Sequence, residues 1–171
     1  LDRLYTRISG DKTMKARLIS ALSVAAIALV ATPFAAQAQP TDYNYVGLGA
    51  GVGNLGDSDV GLAVNGKFTV ADHVSVRPGV ISDLTFNSEG ETVFLAPVTY
   101  DFDPITPNGK LLPFAGGGVS VSTEGAGAVG PLLTAGLDYR LNDQWVANGS
   151  VNWSLYGDSQ VNGVIGIGYS F

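Results

Sequence analysis

The chain has 171 residues, no cysteine and a single histidine, with nine Lys and Arg against fifteen Asp and Glu. That inventory excludes a disulfide framework, thiolate chemistry and the usual zinc ligand sets. The acidic balance is also the wrong sign for a nucleic-acid partner, whose phosphates call for a basic face.

In chain order, residues 1–13 read as upstream translated sequence or a cloning remnant. Met14-Lys-Ala-Arg17 then opens a short basic region, followed by an apolar run from Leu18 to Ala31 and by Ala36-Gln37-Ala38. A basic region, an apolar core and an A-x-A site predict a secretory signal peptide over 14–38, cut after Ala38. The apolar run is too short for a spanning helix, which needs ~20 residues, and Pro33 interrupts it.

The remaining stretch, 39–171, is one domain's worth of chain. It carries four cations (Lys67, Arg77, Lys110, Arg140) against thirteen carboxylates, four minus thirteen or a net charge near −9. Nothing in it has the length and period of a helix. Alternation predicts eight strands, at 43–53, 60–70, 74–84, 92–102, 111–121, 128–141, 145–156 and 161–171. One set of connections (71–73, 103–110, 142–144) is rich in Asp, Asn, Pro and Gly, as turns are. The other set (54–59, 85–91, 122–127, 157–160) carries Asp57, Asp59, Glu89, Glu91, Glu124 and Asp158 with no cation.

The last strand is the clearest. From Val161 to Phe171 every second residue is apolar, aromatic or glycine, while Asn162, Val164, Gly166, Gly168 and Ser170 between them are small or polar. That pattern suits a tilted strand with lipid on one side and a narrow lumen on the other. The same parity puts Val60 to Val70, Phe94 to Phe102, Leu133 to Leu141 and Trp145 to Leu155 outward with no charge on those faces. Phe68, Phe102, Tyr139, Trp145, Tyr169 and Phe171 gather at one rim and Trp153 near the other, the arrangement of an aromatic girdle. An even number of antiparallel strands with both ends on one side predicts an all-β, eight-stranded, up-and-down transmembrane barrel in the outer membrane. Pro78, Pro97, Pro113 and Pro131 stand against it, because each removes a ladder donor and a closed barrel has no free edge. They mark bulges or different strand limits.

The signal peptide, the run Gly136-Leu-Asp-Tyr-Arg-Leu-Asn-Asp-Gln-Trp145 and the closing Tyr169-Ser-Phe171 resemble the OmpA-like family of small eight-stranded outer-membrane barrels. The resemblance covers the mature chain as a pattern. It implies a structural, adhesive or immune-exposed surface protein of Gram-negative bacteria, with outer-membrane lipid and lipopolysaccharide as surroundings. It also implies that Phe171, with Tyr169, is the signal read by the barrel-assembly machinery. The chain departs from larger members in having short outward loops and no peptidoglycan-binding domain after the barrel.

The opposite parity assigns Asn65, Lys67, Arg77, Asp83, Thr99, Asp101, Asp138, Arg140, Asn148, Asn152 and Asn162 to the lumen. Lys67, Arg77, Asp101, Asp138 and Arg140 lie near periplasmic turns and are expected to form one charge layer, since isolated charges in a narrow interior would be costly. An eight-stranded interior is about wide enough for side chains alone. A plug is therefore expected, rather than a gated ion path.

The chemical motifs point nowhere stronger. Gly51-Val-Gly53-Asn-Leu-Gly56 spells a dinucleotide fingerprint, but the pattern predicts a strand after it where the fingerprint needs a helix. His73 with Ser75 would be the base and nucleophile of an outer-membrane lipid hydrolase, but at the wrong end of the barrel. Asn148-Gly-Ser150 and Asn152-Trp-Ser154 match a glycosylation pattern in mid-strand. The acidic loops could bridge to lipopolysaccharide phosphates through Mg²⁺ or Ca²⁺; a plain solvated surface is the simpler account. No cofactor, resident metal or catalysis is expected. The rival from a different class is a secreted, soluble, lipocalin-like barrel holding an apolar ligand. It would invert the parity, with charges outside.

Overall fold

The computed structural model describes residues 40–55, 58–83, 90–156 and 159–171. The predicted signal peptide lies outside the described residues, as do Asp57, Glu89 and Asp158 of the connections.

Nine β-segments form one antiparallel sheet: β1 (Tyr45–Leu55), β2 (Ser58–Ala71), β3 (Val74–Val76), β4 (Gly79–Ser82), β5 (Thr92–Asp101), β6 (Leu111–Ser122), β7 (Ala128–Arg140), β8 (Trp145–Leu155) and β9 (Ser159–Ser170). Each pairs with its neighbour, and β1 also pairs with β9, from Tyr45↔Ser170 to Gly53↔Asn162, so the sheet closes on itself. β3 and β4 are two pieces of a single stave, which makes eight staves. The eight-stranded antiparallel barrel expected from the alternation is the fold.

The interruption between β3 and β4 is Arg77-Pro78. Its register is unbroken on both sides: Phe68↔Val76 continues to Asn65↔Gly79 on β2, and Val76↔Val98 to Gly79↔Leu95 on β5. The prolines are therefore not bulges. Each loses one donor but holds its place, and three keep their carbonyls as acceptors. Gly66 N donates to the Pro78 carbonyl, Arg77 N to that of Pro97 and Phe102 N to that of Pro113, at 2.9–3.0 Å. Pro131 sits in register opposite Val119. The irregularity in β1 lies elsewhere, between Val52 and Leu55, where Gly53 takes a φ of 126°. That region of backbone space is essentially open to glycine alone. Gly51 and Gly53 of the fingerprint thus lie in the last part of β1, with Gly53 at its bulge, and β2 follows where the fingerprint requires a helix.

The two faces sort as alternation dictates. Val60, Leu62, Val64, Leu133, Leu137, Val151, Trp153, Ile165 and Ile167 are exposed on the outside, while Lys67, Arg77, Asp101 and Asp138 are buried within. A soluble protein places its apolar residues the other way round. The lipocalin-like alternative needs that inverse arrangement, and the barrel does not have it.

Glycines make room inside. A Cβ at Gly168 would stand 2.5 Å from the Tyr45 ring, one at Gly136 2.5 Å from the Phe114 ring, and one at Gly51 2.2 Å from Ile81 Cγ2. Large inward side chains thus occupy the space that facing glycines leave.

Candidate functional site: the polar lumen

The half of the lumen beside the start of β1 and the end of β9 is built around Arg77. Alternation aims its side chain inward from the β3–β4 junction, level with Thr99 and Asp101 on β5 and Asp138 on β7. Arg77 Nη2 donates to Asp101 Oδ1 and Asp138 Oδ2, both at 2.9 Å. Its Nε donates to Thr99 Oγ1 at 3.0 Å, and Nη1 to Tyr45 Oη at 3.3 Å. The guanidinium also lies 3.5 Å from the centre of the Phe114 ring, a stacking that suits its flat, weakly hydrated cation. Lys67 Nζ is 3.2 Å from Asp101 Oδ2 and donates to the Thr41 carbonyl; Ser75 Oγ donates to the same carboxylate. Two cations and two carboxylates balance within the cluster. That balance is what makes four buried charges tolerable in a low-dielectric interior.

Arg140 is the exception to the expected layer. It is a third exposed, its nearest carboxylate is Asp143 at 4.0 Å, and it faces the Tyr43 ring at 5.4 Å. As the last residue of β7 it reaches solvent at the mouth, and the four buried charges already satisfy one another without it. Its placement in the charge layer is corrected accordingly.

Sequence reasoning missed two contributors. The first is a strap, Thr41 to Asn44, running under this end of the lumen before β1. Tyr43 and Tyr45 donate from their hydroxyls to Asp138, at 2.7 and 3.1 Å. The Tyr43 ring lies 3.6 Å from Lys67 Nζ, and Asn44 Oδ1 accepts from Thr69 N at 2.8 Å. Burial, reinforced by Asp138, pushes the Tyr43 phenol well above its ordinary value, which keeps it a donor. The alternation Thr41-x-Tyr43-x-Tyr45 was the available signal. The second is Glu91, which the sequence pattern places with the acidic loops. It is 1% exposed and turned into the outer end of the lumen. There it accepts from Ser122 Oγ at 2.6 Å and from Gln160 Nε2 at 3.0 Å. Its position directly before β5, one residue from Thr92, sets the inward parity.

Between these polar ends sits an apolar layer of Leu55, Ala63, Ile81, Val93, Leu95, Leu132 and Val164, all buried.

Other sequence candidates are placed as follows. Asn148, Asn152 and Asn162 are buried, and Asn65 and Asp83 partly so. On the outside, Phe102, Tyr139, Trp145, Trp153, Tyr169 and Phe171 are exposed. Phe68 is half-buried, its ring lying over Gly66. Trp145 and Tyr169 meet edge to face at 5.5 Å, and Tyr100 joins Phe102 at 5.1 Å and His73 at 5.4 Å. His73 holds the β2–β3 turn at a φ of 59°, with Nδ1 2.6 Å from the Asp101 carbonyl oxygen. Ser75 is committed to the Asp101 carboxylate instead, so the two do not form a base–nucleophile pair. Among the described residues no cluster of metal-ligating side chains is present.

No family model and no curated protein matches the sequence. Solved structures do match its fold. The N-terminal β-barrel domain of Pseudomonas aeruginosa OprF aligns with a TM-score of 0.57 at 13% identity, covering 75% of this chain and 96% of that one. A de novo designed transmembrane β-barrel aligns at 0.55 and 15%, covering 80% and 100%. The Yersinia pestis outer membrane protein Ail, solved in a phospholipid bilayer nanodisc, aligns at 0.52 and 12%, covering 75% and 99%. The fold is that of small eight-stranded transmembrane barrels.

Proposed function

We propose that this chain is a small outer-membrane barrel with a structural or surface-interaction role, without catalysis, and with a lumen plugged by its own side chains. The observation that carries this reading is the inverted distribution of polarity, with a neutral charge cluster inside and an uncharged apolar wall outside. Such a wall is stable in hydrocarbon and a liability in water. The surface role is supported by likeness of fold to Ail, the attachment invasion locus protein of Yersinia pestis.

Several finer parts belong to the same proposal. Residues 14–38 direct export and are removed. Phe102, Tyr139, Trp145 and Trp153, with Phe68, seat the barrel at the two lipid–water interfaces, against phospholipid on one side and lipopolysaccharide on the other. Tyr169 and Phe171 address the chain to the barrel-assembly machinery. Lys67, Arg77, Asp101 and Asp138 fill the periplasmic half, with Arg140 at its mouth.

Cell fractionation combined with gel mobility before and after boiling tests the proposal. Outer-membrane recovery with a folded band that shifts on heating is expected. Recovery in the soluble fraction without detergent would overturn it. Phe171→Ala is expected to lower outer-membrane recovery of an otherwise foldable barrel; unchanged recovery would remove the assembly role.

A further inference from the structure

Directly above the Arg77 cluster the lumen contains a cavity of about 30 Å³. Its floor is Arg77, Tyr45 and Phe114, and its roof is Ile81, Leu95 and Val164 from the apolar layer. Two side-chain amides on its wall, Asn65 and Asn148, meet each other, with Asn65 Nδ2 donating to Asn148 Oδ1 at 2.6 Å. That bond uses half of each amide. Asn65 Oδ1 and Asn148 Nδ2 have no protein partner among the described residues, although both atoms are inaccessible to solvent and Asn148 is only 6% exposed.

The unmet acceptor and donor belong to two residues that line this small cavity, and Thr134, Ser150 and Asn152 line it as well, so its wall favours a polar occupant. It must donate and accept, carry no charge and be the size of one or two heavy atoms. Charge is disfavoured on the floor, because four of the five Arg77 N–H groups already go to Asp101, Asp138, Thr99 and Tyr45, and the two cations of the cluster are balanced by its two carboxylates. An apolar occupant would leave both amides unsatisfied, at about 1–3 kcal/mol each. Water fits: a site needs roughly 10–15 Å³ per molecule and two to four polar partners.

We infer that Asn65 and Asn148 hold one or two buried waters, and that the apolar layer above them is the barrier to passage through the barrel. Water above this site would meet Ile81, Leu95 and Val164, none of which can hydrogen-bond it. An apolar constriction of that kind closes a pore by excluding water, whatever the charges beneath it do. The inference deepens the plugged-lumen reading and rests on it.

Two measurements test it on the full barrel in phospholipid nanodiscs and vesicles. In nanodiscs, the side-chain amide protons of Asn148 should show cross-relaxation to water of the sign that marks long residence. Its absence from an assigned, folded barrel would overturn the hydration site. In vesicles, the double variant Ile81→Ser with Leu95→Ser should raise ion flux about tenfold or more over wild type, while Arg77→Gln with Asp138→Asn should leave it near background. A leak through the charge-layer variant alone would overturn the assignment of the barrier. If the roof variant fails to fold by the heat-shift gel, Val164→Ser alone carries the same expectation. Steady flux through the wild-type barrel would sink the plugged-lumen reading itself, and is distinguishable because it needs no substitution.

Discussion

The two halves of the lumen solve the same filling problem with opposite chemistry. The half beside the start of β1 uses Arg77, Lys67, Asp101 and Asp138, closed by the Thr41–Asn44 strap. The other half uses Ile81, Val93, Leu95, Leu132 and Val164, capped by Glu91 with Ser122 and Gln160. A polar filling is stable only while every member keeps its partners. An apolar filling is stable in proportion to how well its shapes fit, and tolerates loss more gradually. The first half is therefore brittle and specific, the second graded.

Substitutions can break that contrast. Arg77→Ala should have the largest effect, a loss of about 3–5 kcal/mol in urea unfolding of the lipid-embedded barrel, because two buried carboxylates lose their shared cation. Replacing the whole cluster with apolar residues of similar volume should recover most of it. A single change as harmful as the wholesale one would mean the network contributes nothing cooperative. Ile81→Ala should cost about 2–5 kcal/mol by opening a void. Its effect should add to that of Arg77→Ala less than fully, since both line the Asn65–Asn148 cavity. Gly136→Ala should cost about 1–3 kcal/mol, because its methyl would press first on the Gly149 carbonyl oxygen of the neighbouring stave, 2.2 Å away, and then on the Phe114 ring on which Arg77 stacks. Near-neutral behaviour there would show that both the β8 backbone and Phe114 yield easily. The smallest effect belongs to Arg140→Ala, about 0–1 kcal/mol for a screened pair at the mouth. A loss comparable to that of Arg77→Ala would return Arg140 to the cluster.

Much of this architecture is legible in the chain. The eight staves follow from period-two alternation interrupted by Asp-, Asn-, Pro- and Gly-rich turns, and the observed strand limits fall within about two or three residues of the expected ones. The uncharged outer faces of β5, β7, β8 and β9 follow from parity alone. Harder to see were elements whose role depends on a neighbour far along the sequence. Pro78 and Pro97 read as misfits because a donor lost from one strand is obvious in sequence. The carbonyl that still accepts from Gly66 or Arg77 is supplied by the paired stave. Tyr43, expected to open the first strand, instead precedes β1 in the strap, and its value comes from Asp138, 95 residues away.

By itself, the sequence determined which face of each strand points out of the barrel, because side chains alternate with a period of two and a one-residue slip would put charges on the apolar outer wall. It also determined that the charges cluster near one end, because their distance from the turns is counted along the chain. Tertiary structure alone decided which charges pair and which reaches solvent. It decided that Glu91 turns inward, and that Asn65 and Asn148 share a cavity under Ile81. Those outcomes depend on stagger between staves and on which glycine faces which ring. Closure of the barrel sets both, through distances between residues that no local pattern relates.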